Sequence, residues 1–96
     1  MVEIIWEPKA RIDLNSIHTF ISNDSPFYAD RFILKLMDRV ETLRFFPKSG
    51  RMMPEQADEN TRELIEGNYR IFYWIVSDKI IHILRIHHAA QNLSKK

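Results

Sequence analysis

The stretch that decides the fold is residues 69–88, which read YRIFYWIVSDKIIHILRIHH. Two long apolar segments, Tyr69 to Val76 and Lys79 to His88, are rich in β-branched and aromatic residues and are separated by Ser77-Asp78. This composition predicts a β-hairpin whose strands are largely buried. A polar side chain set into such a pair needs a hydrogen-bonding partner or access to water. The hairpin is therefore the segment in which we expect functional residues.

The length of the turn decides which histidine shares a sheet face with Arg70, because neighbouring residues on a strand point to opposite faces. A two-residue turn at Ser77-Asp78 would place His87 on that face. A three-residue loop, or a bulge, would place His88 there instead. Two-residue hairpin turns favour Asn-Gly or Asp-Gly rather than Ser-Asp, so the longer loop and His88 are favoured.

The residues before the hairpin predict one strand and two helices. Val2 to Trp6 is a short apolar strand, and Pro8 suits the first turn of a helix. Apolar residues then recur at the spacing of one helical face, at Ala10, Leu14, Ile17 and Ile21. Ser25-Pro26 is a cap-plus-proline start for a second helix, whose apolar face runs to Leu43. Few residues join the helices, so they should form an antiparallel hairpin.

The remaining segments complete one small domain. Residues 47–60 carry no periodicity and include Pro47 and Gly50, which predicts a loop. Thr61 to Ile65 predicts a short strand, followed by a turn at Gly67-Asn68. The element order is β-α-α-β-β-β. We therefore predict a single α+β domain over residues 1–96, with the helical hairpin packed on one face of a small antiparallel sheet.

Bulk composition narrows the class of protein. Hydrophobic residues make up 45% of the chain and charged residues 28%, as in ordinary globular domains. No apolar run approaches 18 residues, so no membrane span is expected, and the N-terminus does not resemble a signal peptide. The absence of cysteine fits a cytoplasmic protein. After Asp78 the charged residues are all basic, which suits either an anionic partner or a solvated tail.

Four arginines are the candidate contacts to a target or to nucleic acid. Arg70 interrupts an apolar strand, and its guanidinium stays charged, so it must reach water, a carboxylate or a phosphate. It either contacts an anion on an open sheet face or forms an internal ion pair, for example with Glu63 or Glu66. The candidate basic patch, formed if the sheet brings its members to one face, comprises Arg51, Arg62, Arg70 and Arg85, with His87 as a further contact.

His87 and His88 are the acid–base candidates, because imidazole titrates near neutral pH. Pointing to opposite faces, they cannot easily chelate one metal ion. No other cluster has metal-ligand spacing, so neither a metal nor a cofactor is expected. The aromatic residues of the hairpin suit either the core or a platform on which nucleobases stack beside arginines. They are Tyr69, Phe72, Tyr73 and Trp74.

Three segments together resemble the RelE/ParE superfamily of toxins from type II toxin–antitoxin pairs. They are FFPKSGR (Phe45 to Arg51), TRELIEGNYRIFY (Thr61 to Tyr73) and IIHILRIHH (Ile80 to His88). The resemblance covers nearly the whole chain. It implies two helices on one face of a small antiparallel sheet, and a role in growth inhibition and plasmid stabilisation.

The superfamily contains two activities, and the resemblance leaves both open. RelE-like members cut mRNA on the ribosome, and in that branch Arg70 and His88 match catalytic positions. ParE-like members poison DNA gyrase and are not nucleases, and Gly50-Arg51 together with the ILRIHH ending looks more like these. The resemblance thus favours a ParE-like toxin, and whether the chain is an enzyme depends on the branch. A toxin fold kept as an inactive interaction module is a third reading.

The resemblance also implies a partner. The cognate antitoxin would be a small, acidic, partly disordered protein that folds over the sheet and the helical hairpin, giving a toxin–antitoxin hetero-oligomer. If the chain is a nuclease, alanine at Arg70 or at His88 should each abolish growth arrest, whereas alanine at His82 should not.

Overall fold

The computed structural model describes residues 1–53, 55 and 58–89. Its elements in chain order are β1 (Glu3–Trp6), α1 (Pro8–Ser22), α2 (Pro26–Glu41), a 3-10 turn (Thr42–Arg44), β2 (Arg51–Met52), β3 (Thr61–Glu66), β4 (Tyr69–Ile75) and β5 (Ile80–His88). Every predicted helix and strand is present, with bounds within about two residues of those predicted. Two of the basic residues near the C-terminus, Lys95 and Lys96, lie outside the described residues.

The two helices begin where the sequence indicated. Pro8 and Pro26 each occupy a first-turn position, where the missing N–H is not needed for the helical ladder. The Ser25 hydroxyl accepts a hydrogen bond of 3.1 Å from the Tyr28 N–H and so caps α2. Between the helices, His18 Nε2 lies 2.7 Å from Asp30 Oδ1, which links α1 to α2 near the hairpin tip.

The five strands form one sheet in the order β1-β5-β4-β3-β2. The α+β class and the packing of the helical hairpin on a small sheet are confirmed, and the sheet is mixed rather than antiparallel throughout. β1 runs parallel to β5, with Glu3 opposite Ile80, whereas the remaining pairs are antiparallel. Short turns impose antiparallel pairing on consecutive strands, and β1 is separated from that run by the helical hairpin.

The segment 47–60, predicted as a loop, contains the two-residue strand β2. Arg51 lies opposite Glu63 and Met52 opposite Arg62, so β2 extends the sheet beyond β3. Two residues are too short to give a periodic sequence signal. The pairing nevertheless places Arg51 on the same sheet face as Glu63.

The hydrophobic core lies between the helices and one face of the sheet. Its fully buried members come from both layers and include Ala10, Leu36, Val40, Leu43, Leu64, Ile71, Tyr73, Ile81 and Ile83. On β4 these buried residues alternate with residues that point away from the helices. We call the side away from the helices the open face, and on it lie Arg51, Glu63, Arg70, Phe72, Trp74, His82 and His87.

Candidate functional site

The open face is centred on a buried carboxylate. The Glu63 side chain has 0% of its surface exposed, and it is the one charged residue that is fully buried in the described part of the chain. A buried carboxylate is stable only when it is paired and hydrogen-bonded. Glu63 meets both requirements through two arginines from the neighbouring strands.

Arg51 and Arg70 bind the Glu63 carboxylate from opposite sides. Arg70 donates from Nε to Oε1 at 2.7 Å, and its Nη2 forms an ion-pair contact with the same oxygen at 2.7 Å, while Arg51 donates from Nε to Oε2. The two arginines differ in exposure, at 16% for Arg70 and 64% for Arg51. The cluster therefore carries one net positive charge, and that charge is most accessible at Arg51. Of the two readings left open for Arg70, the internal ion pair with Glu63 is what the structure shows.

Aromatic contacts fix Arg70 further. Its guanidinium carbon lies 5.0 Å from the centroid of the Phe72 ring, a cation–π contact. The same ring meets the His87 ring edge-on, with centroids 5.2 Å apart. Arg70, Phe72 and His87 thus form one packed array beside the carboxylate, so Arg70 is held against the sheet rather than projecting from it.

His87, and not His88, lies opposite Arg70, so the expectation that favoured His88 was wrong. The connection between β4 and β5 has three loop residues, 77–79, because the Val76 N–H bonds to the Ile80 carbonyl. That loop alone would have placed His88 on the open face. A register shift opposite Phe72 and Tyr73 inserts one extra residue into β5, and this bulge reverses the parity again.

His88 belongs to the face that the helices cover. It lies opposite Tyr69, and the two rings meet edge-on with centroids 5.0 Å apart. Tyr69 is buried, and burial raises the pKa of its hydroxyl. Arg70 and His88 therefore occupy opposite sides of the sheet.

Arg62 organises the loop that leads into β2. It lies opposite Tyr73, so it alternates away from the open face. Its guanidinium donates to the carbonyls of Lys48 at 3.3 Å, Gly50 at 2.9 Å and Glu59 at 2.8 Å. A side chain occupied in this way supports the backbone near Arg51 and does not add a third arginine to the open face.

Tyr73 also holds this loop, through two hydrogen bonds of its hydroxyl. Its hydroxyl donates to the Pro47 carbonyl at 2.8 Å and accepts from the Gly50 N–H at 2.9 Å. Burial raises the pKa of this hydroxyl, so the donated proton stays in place at neutral pH. A Cβ on Gly50 would lie 2.6 Å from both the Tyr73 hydroxyl and the Glu63 carbonyl oxygen, which explains the glycine. Tyr73, Arg62 and Gly50 together set the position of Arg51.

Arg85 lies at the outer edge of β5, beyond the end of β1. It donates to Asp13 of α1 through Nε at 2.8 Å and Nη2 at 3.1 Å, and the Ile86 N–H donates to the same carboxylate at 2.8 Å. Burial alone would raise the pKa of Asp13, but these hydrogen bonds outweigh it and hold the pKa below 3.8. Asp13 thus ties the helical layer to a strand edge that would otherwise lack a partner.

We expect Asp13→Asn to lower the free energy of unfolding by about 1–2 kcal/mol at neutral pH, since the Arg85 ion pair is half-exposed. Because folding lowers the pKa of Asp13, its ionisation stabilises the fold above the unfolded value of 3.8. That stabilisation is lost as the pH falls through the lower pKa that Asp13 has in the folded protein. Urea unfolding of both proteins between about pH 7 and pH 2.5 measures it. A difference that stays constant over this range would contradict the assignment.

The four arginines of the candidate basic patch do not all share one face of the sheet. The structure brings Arg51 and Arg70 together on the open face, turns Arg62 to the other face, and pairs Arg85 with Asp13 at the edge. Glu63 was predicted only as one of two possible ion-pair partners of Arg70. The signal that marked Glu63 was an acidic residue inside the predicted strand TRELIE, in which alternate side chains point toward the core.

The far end of the open face holds a pair that the sequence analysis did not assign to the site. His82 Nδ1 lies 2.8 Å from Glu7 Oε2, and its ring meets Trp74 edge-on at 6.0 Å between centroids. Within residues 1–53, 55 and 58–89, no three acidic or histidine side chains converge in a way that could hold a metal ion. Over the same residues, no helix is long and apolar enough to cross a membrane.

The chain is similar to known proteins in both sequence and fold. A family model described as the ParE toxin of the type II toxin–antitoxin system parDE matches residues 4–93. The Caulobacter vibrioides protein named Toxin RelE2 is 33% identical over 91 residues, which is 95% of this chain and 99% of that protein. These matches confirm the resemblance to the RelE/ParE superfamily.

The fold is matched by a solved structure described as the chromosomal ParDE TA system from P. aeruginosa. The superposition has a TM-score of 0.72 and covers 92% of this chain and 96% of that one, at 24% identity. At that identity the match speaks for the fold alone. Taken with the family model, which spans nearly the whole chain, these relatives show that the protein belongs to the ParE family, the toxins of type II toxin–antitoxin systems.

Proposed function

We propose that this toxin arrests growth by ParE-like inhibition of DNA gyrase and does not cleave RNA. The observation that carries the proposal is the separation of Arg70 and His88 on opposite faces of the sheet. A nuclease needs its phosphate-binding cation and its general acid or base at one phosphodiester. The match to the ParE family model supports the same choice.

The charge of the open face supports a target other than an RNA backbone. Glu63 neutralises one of the two arginines on that face, and Asp13 neutralises Arg85 at the edge. An enzyme that acts on RNA gathers several cations along the phosphate chain, since backbone contacts supply most of the affinity. The open face offers a folded, nearly neutral surface with aromatic side chains, which suits contact with a protein.

A supercoiling assay with purified components tests the proposal. We expect the toxin to inhibit supercoiling of relaxed plasmid by gyrase in a concentration-dependent way, and His88→Ala to inhibit equally well. Primer extension on message from induced cells should show no new 5′ ends. Unimpaired gyrase at stoichiometric excess of toxin, together with new 5′ ends, would contradict the proposal. Failure of the induced toxin to arrest growth at all would indicate an inactive interaction module.

RelE-like cleavage of mRNA on the ribosome is the second candidate, and one observation favours it. His87 lies directly opposite Arg70, so an imidazole and a guanidinium do share the open face. The relative named Toxin RelE2 adds to this reading. If primer extension reveals cleavage, His87→Ala should abolish it, whereas His88→Ala should leave it intact.

We propose that the cognate antitoxin covers the helical hairpin as well as the sheet. Large apolar side chains stand exposed on the outer surfaces of both helices, and they include Ile12, Phe20, Phe27 and Leu34. Exposed apolar surface of this kind marks protein–protein contact. Protection of α1 and α2 from hydrogen exchange in a co-purified toxin–antitoxin complex would measure this contact. Unchanged exchange in both helices would contradict it.

A further inference from the structure

The open face has the composition of a nucleic-acid contact but carries its own anion. Arg51 and Arg70 converge on Glu63 from the two strands that flank β3, and Phe72 and His87 lie beside them. Arginines next to aromatic rings are the groups that bind phosphates and stack on bases. Glu63 stands between the two guanidiniums with both of its oxygens engaged.

Glu63 occupies the donor edge that a phosphate would require. Arginine binds a phosphate through a fork of two parallel N–H groups, and on Arg70 the Nε and Nη2 groups both point to Glu63 Oε1. A phosphate that took this edge would leave the carboxylate buried and short of donors. It would also approach a like charge in a site with little water, where electrostatic repulsion is strong.

We propose that Glu63 is a specificity-determining residue of the open face, an internal anion that prevents Arg51 and Arg70 from binding the phosphates of single-stranded RNA. Removing this charge frees guanidinium donors of Arg51 and Arg70, which then form a pair of cations beside an aromatic surface. The inference does not rest on gyrase as the target. RNA binding and gyrase inhibition are separate measurements, and either result stands if the other fails.

The test is RNA affinity of the purified toxin with Glu63→Gln, which keeps the shape of the side chain and removes its charge. We expect binding to a fluorescent single-stranded oligouridylate to tighten about tenfold, the effect of removing one like-charge contact. The dependence of log K on log salt should steepen by about 0.7 for each phosphate newly bound. Unchanged affinity and salt slope in a folded variant would overturn the proposal.

Two further variants separate this role from a merely structural one. Adding Arg70→Gln to Glu63→Gln should return RNA affinity to the wild-type level, because the released guanidinium is removed again. Asp13→Asn releases Arg85, which lies opposite Phe72 but whose ion pair with Asp13 does not include Glu63, and it should change the affinity less than threefold on the same scale. An equal gain in Asp13→Asn would show a general effect of net charge and would overturn the assignment to Glu63.

A single substitution in the wild-type protein tests the proposal even if Glu63→Gln does not fold. Arg51 is the more exposed partner, so Arg51→Gln should fold. If Glu63 already prevents this cation from binding phosphate, Arg51→Gln should leave RNA affinity within about twofold. A loss of tenfold or more would mean that Arg51 contacts RNA in the unaltered toxin, and the proposal would be wrong.

Discussion

Arg70→Ala is expected to lower the free energy of unfolding by about 3–5 kcal/mol, the usual effect of removing one partner from a buried ion pair. Arg70 supplies the hydrogen bond and the ion-pair contact to Glu63 Oε1, and the Glu63 side chain has no exposed surface. Arg51 binds the other oxygen and is largely exposed, so it cannot replace the buried contact that Arg70 makes. Urea unfolding of the purified variant, with the slope checked against the wild type, measures the loss.

The matched control is the double variant Arg70→Ala, Glu63→Ala. Removing the carboxylate together with its partner avoids the unpaired buried charge, so the double variant should be more stable than Arg70→Ala alone. Equal or greater instability of the double variant would show that Arg70 acts through packing on Phe72 instead. Loss of growth arrest in Arg70→Ala is therefore no sign of catalysis, because a destabilised toxin also fails to arrest growth.

Gly50→Ala should be the second severe substitution, with an expected loss of about 2–4 kcal/mol in the free energy of unfolding. The new methyl group would lie 2.6 Å from the Glu63 carbonyl oxygen and from the Tyr73 hydroxyl. Relieving that overlap costs about 1–3 kcal/mol, and moving the loop also weakens the buried Gly50–Tyr73 hydrogen bond, worth about 1 kcal/mol. Thermal unfolding followed by circular dichroism provides the measurement.

Gly67→Asn is the control for Gly50→Ala. Gly67 has φ of 59°, a conformation that asparagine tolerates better than most residues. A Cβ there meets only the Phe32 ring, at an ordinary 3.5 Å. The control should cost less than about 1 kcal/mol. A Gly50→Ala protein as stable as this control would mean that the loop adjusts freely and does not fix the position of Arg51.

The helices, the strand bounds and the helix-on-sheet packing followed from the sequence, because each rests on a local signal. Ser25 and Pro26 mark a helix start, and the apolar spacing that follows marks its buried face. The parallel pairing of β1 with β5 carried no such signal, since it depends on which edge of the sheet remains free after the helices fold back. The two-residue β2 was too short to detect.

The candidate site was predictable only in part, and the reason is parity. The three-residue loop was correctly favoured, but the bulge in β5 restored the pairing of a two-residue turn and brought His87 to Arg70. A bulge adds one residue to one strand of a pair and increases the local twist, and the sequence ILRIHH contains no residue that marks one. The ion pair of Arg70 was one of two readings, and the burial of Glu63 could be known only after the strands were paired.

The position of β5 has a consequence for the synthesis of the toxin. Among the strands of residues 1–89, β5 is made last, yet it lies between β1 and β4, and Glu3 pairs with Ile80. Contacts between such distant parts of a chain form late and only when both parts are present. In a nascent chain that still lacks β5, β1 is not joined to the rest of the sheet, and the open face is incomplete. Messages truncated before Ile80 should yield protein that is harmless to the cell and open to proteolysis.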